Sequence, residues 1–194
     1  MAHDKVFIVA DVSMLKDFLS PYDRVKYAAI FNLAYAGAFR LGEVVASDDT
    51  RHTIKINDVS ILNGGNGLEL RVLMRSFKNS RGPETLVFQS SPVLPCVVQA
   101  VNDYLAIRGE GADTLFIEHS GTPVTRHKVV RVLKRAMSNL GLNPVRFNGH
   151  SFRIGRASDL AGLGYAESQI KMVGRWRSNA YQKYIRCSDI IAPP

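Results

Sequence analysis

A block of alternating apolar and polar residues occupies positions 52–89 and constrains the fold more than any other stretch. Its first two segments both have the two-residue period of β-strands, and the Gly-rich sequence 63–67 between them is a strong turn signal. A second turn at 78–83 leads into the apolar segment 85–88. The block therefore predicts a three-stranded antiparallel sheet whose second hairpin tip lies at residues 78–83.

Helical patterns lie on both sides of this block. Before it, residues 11–19 have apolar residues at helical spacing, and a second helix beginning at Ser20-Pro21 is apolar around most of its circumference, which predicts burial. After it, residues 97–107 and a strongly basic stretch from Thr125 are helical in pattern, and residues 113–117 form a short extended segment. With further helices towards the C-terminus, this order predicts an α+β fold, mainly α-helical with a small antiparallel sheet.

The charge balance favours an acidic partner. Lys and Arg number 25 against 17 Asp and Glu, a formal net charge of +8. Nucleic acid is the commonest such partner, although an ordinary basic protein has the same balance. Cys96 and Cys187 are too few for a disulfide framework or a cysteine metal site, which fits a reducing compartment. With neither a signal-peptide pattern nor an apolar run of the about 18 residues that a membrane span needs, we expect one soluble intracellular domain spanning residues 1–194.

The C-terminal stretch 148–186 concentrates residues suited to phosphate chemistry. His150 and Arg153 lie three apart at a predicted helix start, and Gly174-Arg175-Trp176 and Tyr184 follow after an apolar segment. Arginine donates paired hydrogen bonds to phosphate oxygens, and a tyrosine hydroxyl supplies an oxygen nucleophile. The stretch therefore predicts a site that grips a phosphodiester and attacks it without a metal.

This stretch resembles the C-terminal catalytic motif of tyrosine recombinases, the phage integrase family, in which a His-x-x-Arg box precedes a Gly-(His/Trp) box and a nucleophilic tyrosine. The wording HSFR, VGRW and YQKYIR is similar to that of recombinases from eukaryotic mobile elements of the Crypton, DIRS and Ngaro types. The context Tyr-Ile-Arg favours Tyr184 over Tyr181 as the nucleophile. The gap from Trp176 to Tyr184 is one residue shorter than in many integrases, so Arg175 is the alternative to Trp176 for the histidine-or-tryptophan place. We expect Trp176.

Two upstream features extend the resemblance. Arg40 and Glu43 by themselves suggest an ordinary i, i+3 surface ion pair, but Ala-x-Arg-x-x-Glu is similar to the family's first box. The resemblance then implies that Arg40 holds the scissile phosphate and that Glu43 supports its guanidinium or a neighbouring backbone group. Lys78 lies on the second hairpin, where the family carries a catalytic lysine, although hairpin lysines are usually only solvated and Arg81 is close by.

The resemblance implies transesterification with no metal or other cofactor. Tyr184 attacks the scissile phosphate, which gives a 3′-phosphotyrosyl link and a free 5′-hydroxyl. His150 assists by taking or shuttling the tyrosine proton, and Lys78 protonates the leaving oxygen. Because the link keeps the phosphodiester energy, a second strand's 5′-hydroxyl can reverse the step, which is strand exchange.

The remaining implied roles concern the phosphates. Arg40 and Arg153 clamp the non-bridging oxygens, and Trp176 donates its indole N–H to one of them. A basic helical face is usually only solvated, but in a recombinase it contacts the DNA backbone. The expected DNA-binding residues are Arg81, Arg126, Lys128, Arg131 and Arg175.

The partners expected from the resemblance are double-stranded DNA and further copies of the chain, as a tetramer on DNA. The family's N-terminal DNA-clamping domain has no counterpart in these residues, so we expect a catalytic domain alone or a fragment. A eukaryotic mobile element implies the nucleus, and any other source implies the cytoplasm or nucleoid. Three alternatives stay open: a type IB topoisomerase-like nicking and resealing enzyme, a catalytically silent DNA-binding module domesticated from a mobile element, and an unrelated basic helical protein.

Overall fold

The computed structural model describes residues 18–48, 50–65, 67–78, 80–92 and 96–185. Its α-helices are α1 (Pro21–Ala36), α2 (Leu41–Val44), α3 (Val97–Ile107), α4 (Arg126–Asn139), α5 (Ser151–Gly162) and α6 (Glu167–Gly174). Its strands are β1 (Val59–Gly64), β2 (Gly67–Met74) and β3 (Glu84–Gln89), which form one three-stranded antiparallel sheet in the order β1-β2-β3. The predicted α+β class is confirmed. Within the described ranges, no helix has both the length and the apolar character that crossing a membrane requires.

Helix α1 is the centre of the main core. The Ser20 side chain caps its N-terminus by accepting a hydrogen bond from the Asp23 N–H, and Pro21 occupies the first turn, where a missing N–H costs nothing. Residues 26–34 are all buried, as the apolar circumference of the sequence predicts. Helices α3 and α5 both pack against α1. Because α5 carries the first part of the C-terminal motif, its packing on α1 ties that motif to the core.

The sheet has one buried and one exposed face. In β2, Leu70, Val72 and Met74 are buried, whereas Arg71 is exposed, so the predicted alternation is confirmed. Helix α3 packs against β2 and β3 and covers the apolar side. The loop between these two strands spans residues 75–83 and includes the predicted hairpin tip.

The first strand is shorter than the alternating pattern predicts. It begins at Val59 rather than near residue 52, and residues 56–58 form a 3-10 turn. The buried Asp58 carboxylate accepts hydrogen bonds from the Lys55 N–H at 3.0 Å and from Arg75 Nε at 2.6 Å. This side chain offers the backbone an alternative to a strand ladder, which apolar spacing does not reveal. Of the helix predicted at 11–19, residues 11–17 lie outside the described residues, and residues 18 and 19 form a turn and a bend.

A second, smaller cluster of buried residues holds the C-terminal motif. It joins α5, α6 and a 3-10 turn that spans Asn179–Tyr184. Its buried members are Ala38, Ala157, Leu160, Ile170, Trp176 and Tyr181. Since Ala38 follows α1 directly, this cluster also places the motif beside the loop that carries Arg40.

Leu33 and Leu163 form a matched pair for testing the position of α1 in the core. Leu33 is fully buried in α1, whereas Leu163, after α5, is 72% exposed. We expect Leu33→Ala to lower the free energy of unfolding by about 2–5 kcal/mol because it leaves a cavity. Leu163→Ala should change it by less than about 0.5 kcal/mol. Urea denaturation followed by circular dichroism measures both, and equal effects would contradict the placement of α1.

Candidate active site

A cleft of about 190 Å³ opens between the start of α2, the β2–β3 hairpin and the start of α5. Arg40, Lys78 and His150 line it, so the fold brings together three of the predicted catalytic residues from distant parts of the sequence. Its walls also include Arg126 and His52. Among the described residues, no group of three or more His, Cys, Asp or Glu side chains is placed to hold a metal ion. Guanidinium, ammonium and imidazole groups therefore line the cleft.

Close backbone approaches place these side chains around the cleft. A Cβ atom on Gly149 would come within 3.1 Å of the Leu41 Cβ, so the turn before α5 lies directly against α2 and sets His150 beside Arg40. The Arg126 N–H donates to the Ala46 carbonyl at 2.9 Å, which holds the start of α4 next to the end of α2. Residues from the starts of α2, α4 and α5 therefore line the same cleft.

Glu43 is the buried centre of a pair of arginines. Its Oε1 accepts a hydrogen bond from Arg40 Nη1 at 2.9 Å, and its Oε2 accepts from the Arg40 N–H at 2.9 Å and from Arg175 Nη2 at 3.2 Å. The Glu43 side chain is 3% exposed, whereas that of Arg40 is 34% exposed. Glu43 is therefore placed to hold both the guanidinium and the backbone of Arg40 while that guanidinium still faces the cleft.

Arg175 is directed into the protein. It follows α6 in a left-handed conformation with φ of 55°, and its side chain is 2% exposed. Its Nη1 donates to the Gly37 carbonyl at 2.9 Å, and its guanidinium carbon lies 4.6 Å from the centre of the Phe39 ring. Burial lowers the pKa of Arg175, and the Glu43 carboxylate opposes that shift. A side chain this deeply buried does not agree with the predicted DNA contact; the structure gives it the task of holding Glu43.

Arg153 lies in the first turn of α5 and is fully buried. Its Nη1 donates to the Ala38 carbonyl, and its Nη2 donates to the Gly174 carbonyl at 3.0 Å. Burial, followed by the positive charge of Arg40, lowers the pKa of Arg153. Its Nε has no hydrogen-bond partner in the described part of the chain. The two hydrogen bonds use two of the five N–H donors of the guanidinium, which leaves donors for another ligand.

Two rings lie against the guanidinium of Arg153, and a third stacks on one of them. Its carbon lies 4.5 Å from the centre of the Trp176 ring and 5.5 Å from that of Tyr184. The Trp176 and Tyr184 ring centres are 5.3 Å apart. The Tyr184 ring also stacks on His150 with centres 6.5 Å apart and planes at 22°. A phenol, an imidazole and a guanidinium therefore share one neighbourhood at the edge of the cleft.

Tyr181 has a different environment from Tyr184. It is 4% exposed and packs in the second cluster, with its ring centre 6.4 Å from that of Trp176. Burial and a hydrogen bond with Glu167 raise the pKa of Tyr181, so its hydroxyl keeps its proton. The Lys171 ammonium also lies 5.2 Å from its ring centre. Of the two tyrosines, Tyr184 is the one beside His150 and Arg153.

The five predicted DNA contacts do not form one surface. Arg126 lines the cleft, and Arg81 is exposed on the β2–β3 loop. The Lys128 ammonium instead pairs with the Glu118 carboxylate at 3.1 Å beside a different cavity, lined also by Tyr22. Arg131 is exposed and lies close enough to Tyr27 to act on it electrostatically. Helix periodicity alone does not distinguish the side of α4 that carries Arg126 from the side that carries Lys128, since both sides are basic.

The sequence pattern gave no indication that His52 belongs to the site. It lies within the alternating segment that predicts the first strand, where a lone histidine carries no motif signal. In the structure it belongs to a 3-10 turn, and its ring lines the cleft together with Lys78. Only its position in the fold connects it with the site.

His150 is held in its neutral form. Partial burial, followed by the positive charges of Arg126, Arg153 and Arg40, lowers the pKa of its imidazole. A histidine whose pKa is lowered below the ordinary 6.5 is unprotonated at neutral pH. His150 can therefore accept a proton from a neighbouring hydroxyl.

Removing the nearest surface charge tests this electrostatic effect. Arg126→Ala should raise the pKa of His150, because it removes a positive charge that disfavours the imidazolium. Arg131→Ala, on the same helix but away from the cleft, is the matched control and should leave that pKa unchanged. Titration of the His150 ring proton by NMR measures both. A His150 pKa that falls or stays constant in Arg126→Ala would contradict the arrangement of the cleft.

Gly174 allows Trp176 to fold back onto α6. A Cβ atom at Gly174 would lie 1.8 Å from Cζ3 of Trp176, well inside the contact distance. At Gly162, at the end of α5, such a Cβ would meet no atom within 4 Å in the described part of the chain beyond its own stretch of helix. The two glycines thus differ in whether a methyl group can be accommodated.

This difference predicts a specific effect on the single tryptophan of the chain. Gly174→Ala should push the Trp176 ring out of its buried place, shift its fluorescence emission to longer wavelength and destabilise the fold by about 1–3 kcal/mol. Gly162→Ala should leave the emission unchanged and the stability equal or slightly higher, because alanine is the better helix former. Identical spectra for both variants would argue against the observed packing of Trp176.

Comparisons with known proteins give one family match and several similar folds. The sequence profile described as the Phage integrase family matches residues 9–189. Among solved structures, the XerH site-specific recombinase in a post-cleavage complex with palindromic difH substrate has a TM-score of 0.67 at 16% identity, over 91% of this chain and 46% of that one. The XerA recombinase has a TM-score of 0.65 at 18% identity, over 92% of this chain and 57% of that one.

A third similar structure is the complex of FLP recombinase with a Holliday junction, with a TM-score of 0.60 at 14% identity over 94% of this chain and 46% of that one. At these identities the similarity shows a shared fold. The chain spans about half the length of these structures. The search of curated protein sequences found no significant match.

Proposed function

Because the chain belongs to the phage integrase family of tyrosine recombinases, we propose that it cleaves and rejoins DNA at specific sites through a 3′-phosphotyrosine intermediate. The observation that carries this proposal is the convergence of Arg40, Lys78 and His150 on one cleft, with Tyr184 stacked on His150 at its edge. A phosphodiester in this cleft would meet positive charge, a proton acceptor, a proton donor and a nucleophile together.

The phosphate is gripped by guanidinium groups. Arg40, held by Glu43 and partly exposed, is preorganised to donate to a non-bridging oxygen. Arg153 supplies charge from beneath the Tyr184 and Trp176 rings. Since Arg153 is fully buried, its direct contact with a phosphate requires one of those rings to shift when DNA binds. These groups stabilise the extra negative charge of the pentacoordinate transition state.

Proton transfers complete the reaction. The Tyr184 oxygen bonds to phosphorus while the phosphorus–O5′ bond breaks, and neutral His150 takes the phenolic proton. The Lys78 ammonium gives a proton to the leaving 5′-oxygen, so both charges are neutralised where they develop. Attack by a 5′-hydroxyl of another strand reverses these steps and releases the tyrosine. In this scheme Trp176 packs against Tyr184 and donates its N–H to a phosphate oxygen.

The proposal extends to the partner and the biological setting. Double-stranded DNA is the substrate, and the chain assembles as a tetramer on it, because exchange joins two duplexes with four strand ends. The wording of the HSFR and VGRW boxes supports an origin in a eukaryotic mobile element and hence the nucleus. The basic composition, with a net charge of +8, supports binding to the DNA backbone.

Covalent capture tests the nucleophile and the metal-free mechanism together. The protein is incubated with a library of random-sequence duplexes nicked near their centres, in EDTA, and adducts that survive denaturing detergent are recovered and sequenced. We expect wild type and Tyr181→Phe to capture DNA and Tyr184→Phe to lose capture by at least about 1000-fold, because phenylalanine has no nucleophilic oxygen.

The outcomes separate the alternatives. Loss of capture in Tyr181→Phe with retention in Tyr184→Phe would show that the other tyrosine is the nucleophile. No adduct with wild type on any duplex would contradict the proposed activity and favour a silent DNA-binding module. Relaxation of supercoiled plasmid without exchange between two captured sites would instead favour a nicking and resealing enzyme.

A further inference from the structure

We propose that His52 is a positioning residue for Lys78: it anchors the β2–β3 hairpin through Ser76 and thereby sets the ammonium against the leaving oxygen. The inference rests on the proposed function and deepens it. It assigns a role to an imidazole that lies in the cleft and has no place in the motif. His52 and Lys78 line the same cleft, although they come from separate loops.

The contact that carries the inference joins His52 to the root of the hairpin. His52 Nδ1 lies 2.7 Å from Ser76 Oγ, and Ser76 Oγ donates to the Arg51 carbonyl at 3.3 Å. Ser76 is two residues before Lys78 in the loop that follows β2. The segment carrying His52 is therefore linked to the hairpin by two hydrogen bonds at one hydroxyl.

The same hydroxyl also bears on which nitrogen of His52 carries the proton. A serine hydroxyl has one hydrogen, which can go either to the Arg51 carbonyl at 3.3 Å or to His52 Nδ1 at 2.7 Å. In the first case Nδ1 donates to Ser76 Oγ and Nε2 is the unprotonated nitrogen of the neutral ring, and in the second case the two nitrogens exchange these states. The anchoring role thus belongs to Nδ1, and any proton transfer in the cleft would belong to Nε2. The two roles can be separated by substitution.

The other end of this linkage is the phosphate-gripping element. The Thr53 hydroxyl donates to the Gly42 carbonyl at 3.1 Å, and the Ile54 N–H donates to the Glu43 carbonyl at 2.8 Å. Residues 52–54 are therefore fixed to α2, which carries Arg40 at its N-cap. Through His52, the hairpin with the proton donor is held in register with the helix that orients the phosphate clamp.

The hairpin needs such an anchor. Lys78 is exposed and its side chain is long and flexible, so its reach to one oxygen depends on where the loop holds its backbone. On the core side, Phe77 is buried and its N–H donates to Ser80 Oγ at 3.2 Å. On the cleft side, the His52–Ser76 contact supplies the restraint. A displacement of about 1 Å at a reacting group is enough to cost roughly 100-fold in rate.

The experiment compares two leaving groups on one captured sequence. The first substrate has the natural 5′-oxygen at the cleavage position, and the second has a bridging 5′-sulfur there. A thiol has a pKa of about 8.5, so a thiolate can depart without a proton from the enzyme. The sulfur substrate therefore removes the need for Lys78. Rates of covalent adduct formation are measured for the full chain and its variants. Lys78→Ala serves as the reference for a lost proton donor.

We expect His52→Ala and Ser76→Ala each to slow cleavage of the oxygen substrate by roughly 10- to 100-fold and to cleave the sulfur substrate at the wild-type rate. A wild-type rate on the sulfur substrate shows in the same assay that each variant is folded. The double variant should be no slower than either single one, because both break one contact. His52→Asn, whose terminal amide can replace Nδ1 in the hydrogen bond with Ser76, should restore most of the rate; His52→Gln should not.

Several outcomes would overturn the inference. Unchanged cleavage of the oxygen substrate by His52→Ala would remove any role for the residue. Equal losses on both substrates would show general structural damage, and failure of His52→Asn to restore the rate would assign the role to Nε2 as a proton carrier. Lack of sulfur rescue for Lys78→Ala would show that Lys78 is not the donor. No adduct from wild type on either substrate would refute the proposed function itself, and the inference with it.

Discussion

The buried guanidinium of Arg153 is the interaction on which the arrangement of the site depends. It joins three segments: the loop after α1 through the Ala38 carbonyl, the end of α6 through the Gly174 carbonyl, and α5, which carries it. A charge without exposed surface is costly unless its donors are matched. The two carbonyls and the faces of Trp176 and Tyr184 supply part of that match, while the Nε of Arg153 has no hydrogen-bond partner among the described residues. Ala38 also has a positive φ of 45°, a backbone strain that such a contact helps to hold in place.

A second buried charge couples the C-terminal motif to the front of the cleft. Glu43 accepts hydrogen bonds from Arg40 on one side and from Arg175 on the other. The buried Arg175 therefore fixes the carboxylate, and the carboxylate orients the partly exposed Arg40. Arg175 is set by the turn that ends α6, immediately before Trp176. A movement of that turn would therefore displace Arg40 as well as the Trp176 and Tyr184 rings. Arg40 and the turn before Trp176 are therefore parts of one connected hydrogen-bond network.

The cleft collects positive charge from Arg40, Lys78 and Arg126, and the Glu43 carboxylate pairs with the first of these. Arg40 and Arg126 both disfavour protonation of His150, and Lys78 lies on the same walls. A phosphodiester would neutralise this charge on binding, which is a physical reason for the cleft to take nucleic acid. The same field keeps the imidazole neutral and able to accept a proton, so the proposed DNA binding and the proposed proton transfer depend on one charge distribution. The His52–Ser76 contact adds the geometric restraint that charge alone does not supply.

Much of the fold follows from local patterns. The alternation in β2, the turn signals around it and the apolar circumference of α1 led to the correct α+β class, because each depends on residues close in sequence. The shortened β1 was not foreseen. The Asp58 carboxylate, which takes the place of strand pairing there, accepts its hydrogen bond from Arg75, a residue that follows β2. Similarly, the basic face of α4 gave no sign that Lys128 pairs with Glu118.

For the site, the sequence by itself determined the family, through the ordered boxes that end at Tyr184. Only the tertiary structure decided that Arg175 turns inward to Glu43, that Tyr181 packs in the second cluster while Tyr184 faces His150, and that His52 lies in the cleft. The physical reason is that these roles depend on partners brought by other elements. Spacing along one helix or strand records which residues are present, but burial and hydrogen bonding across elements determine what each of them can do.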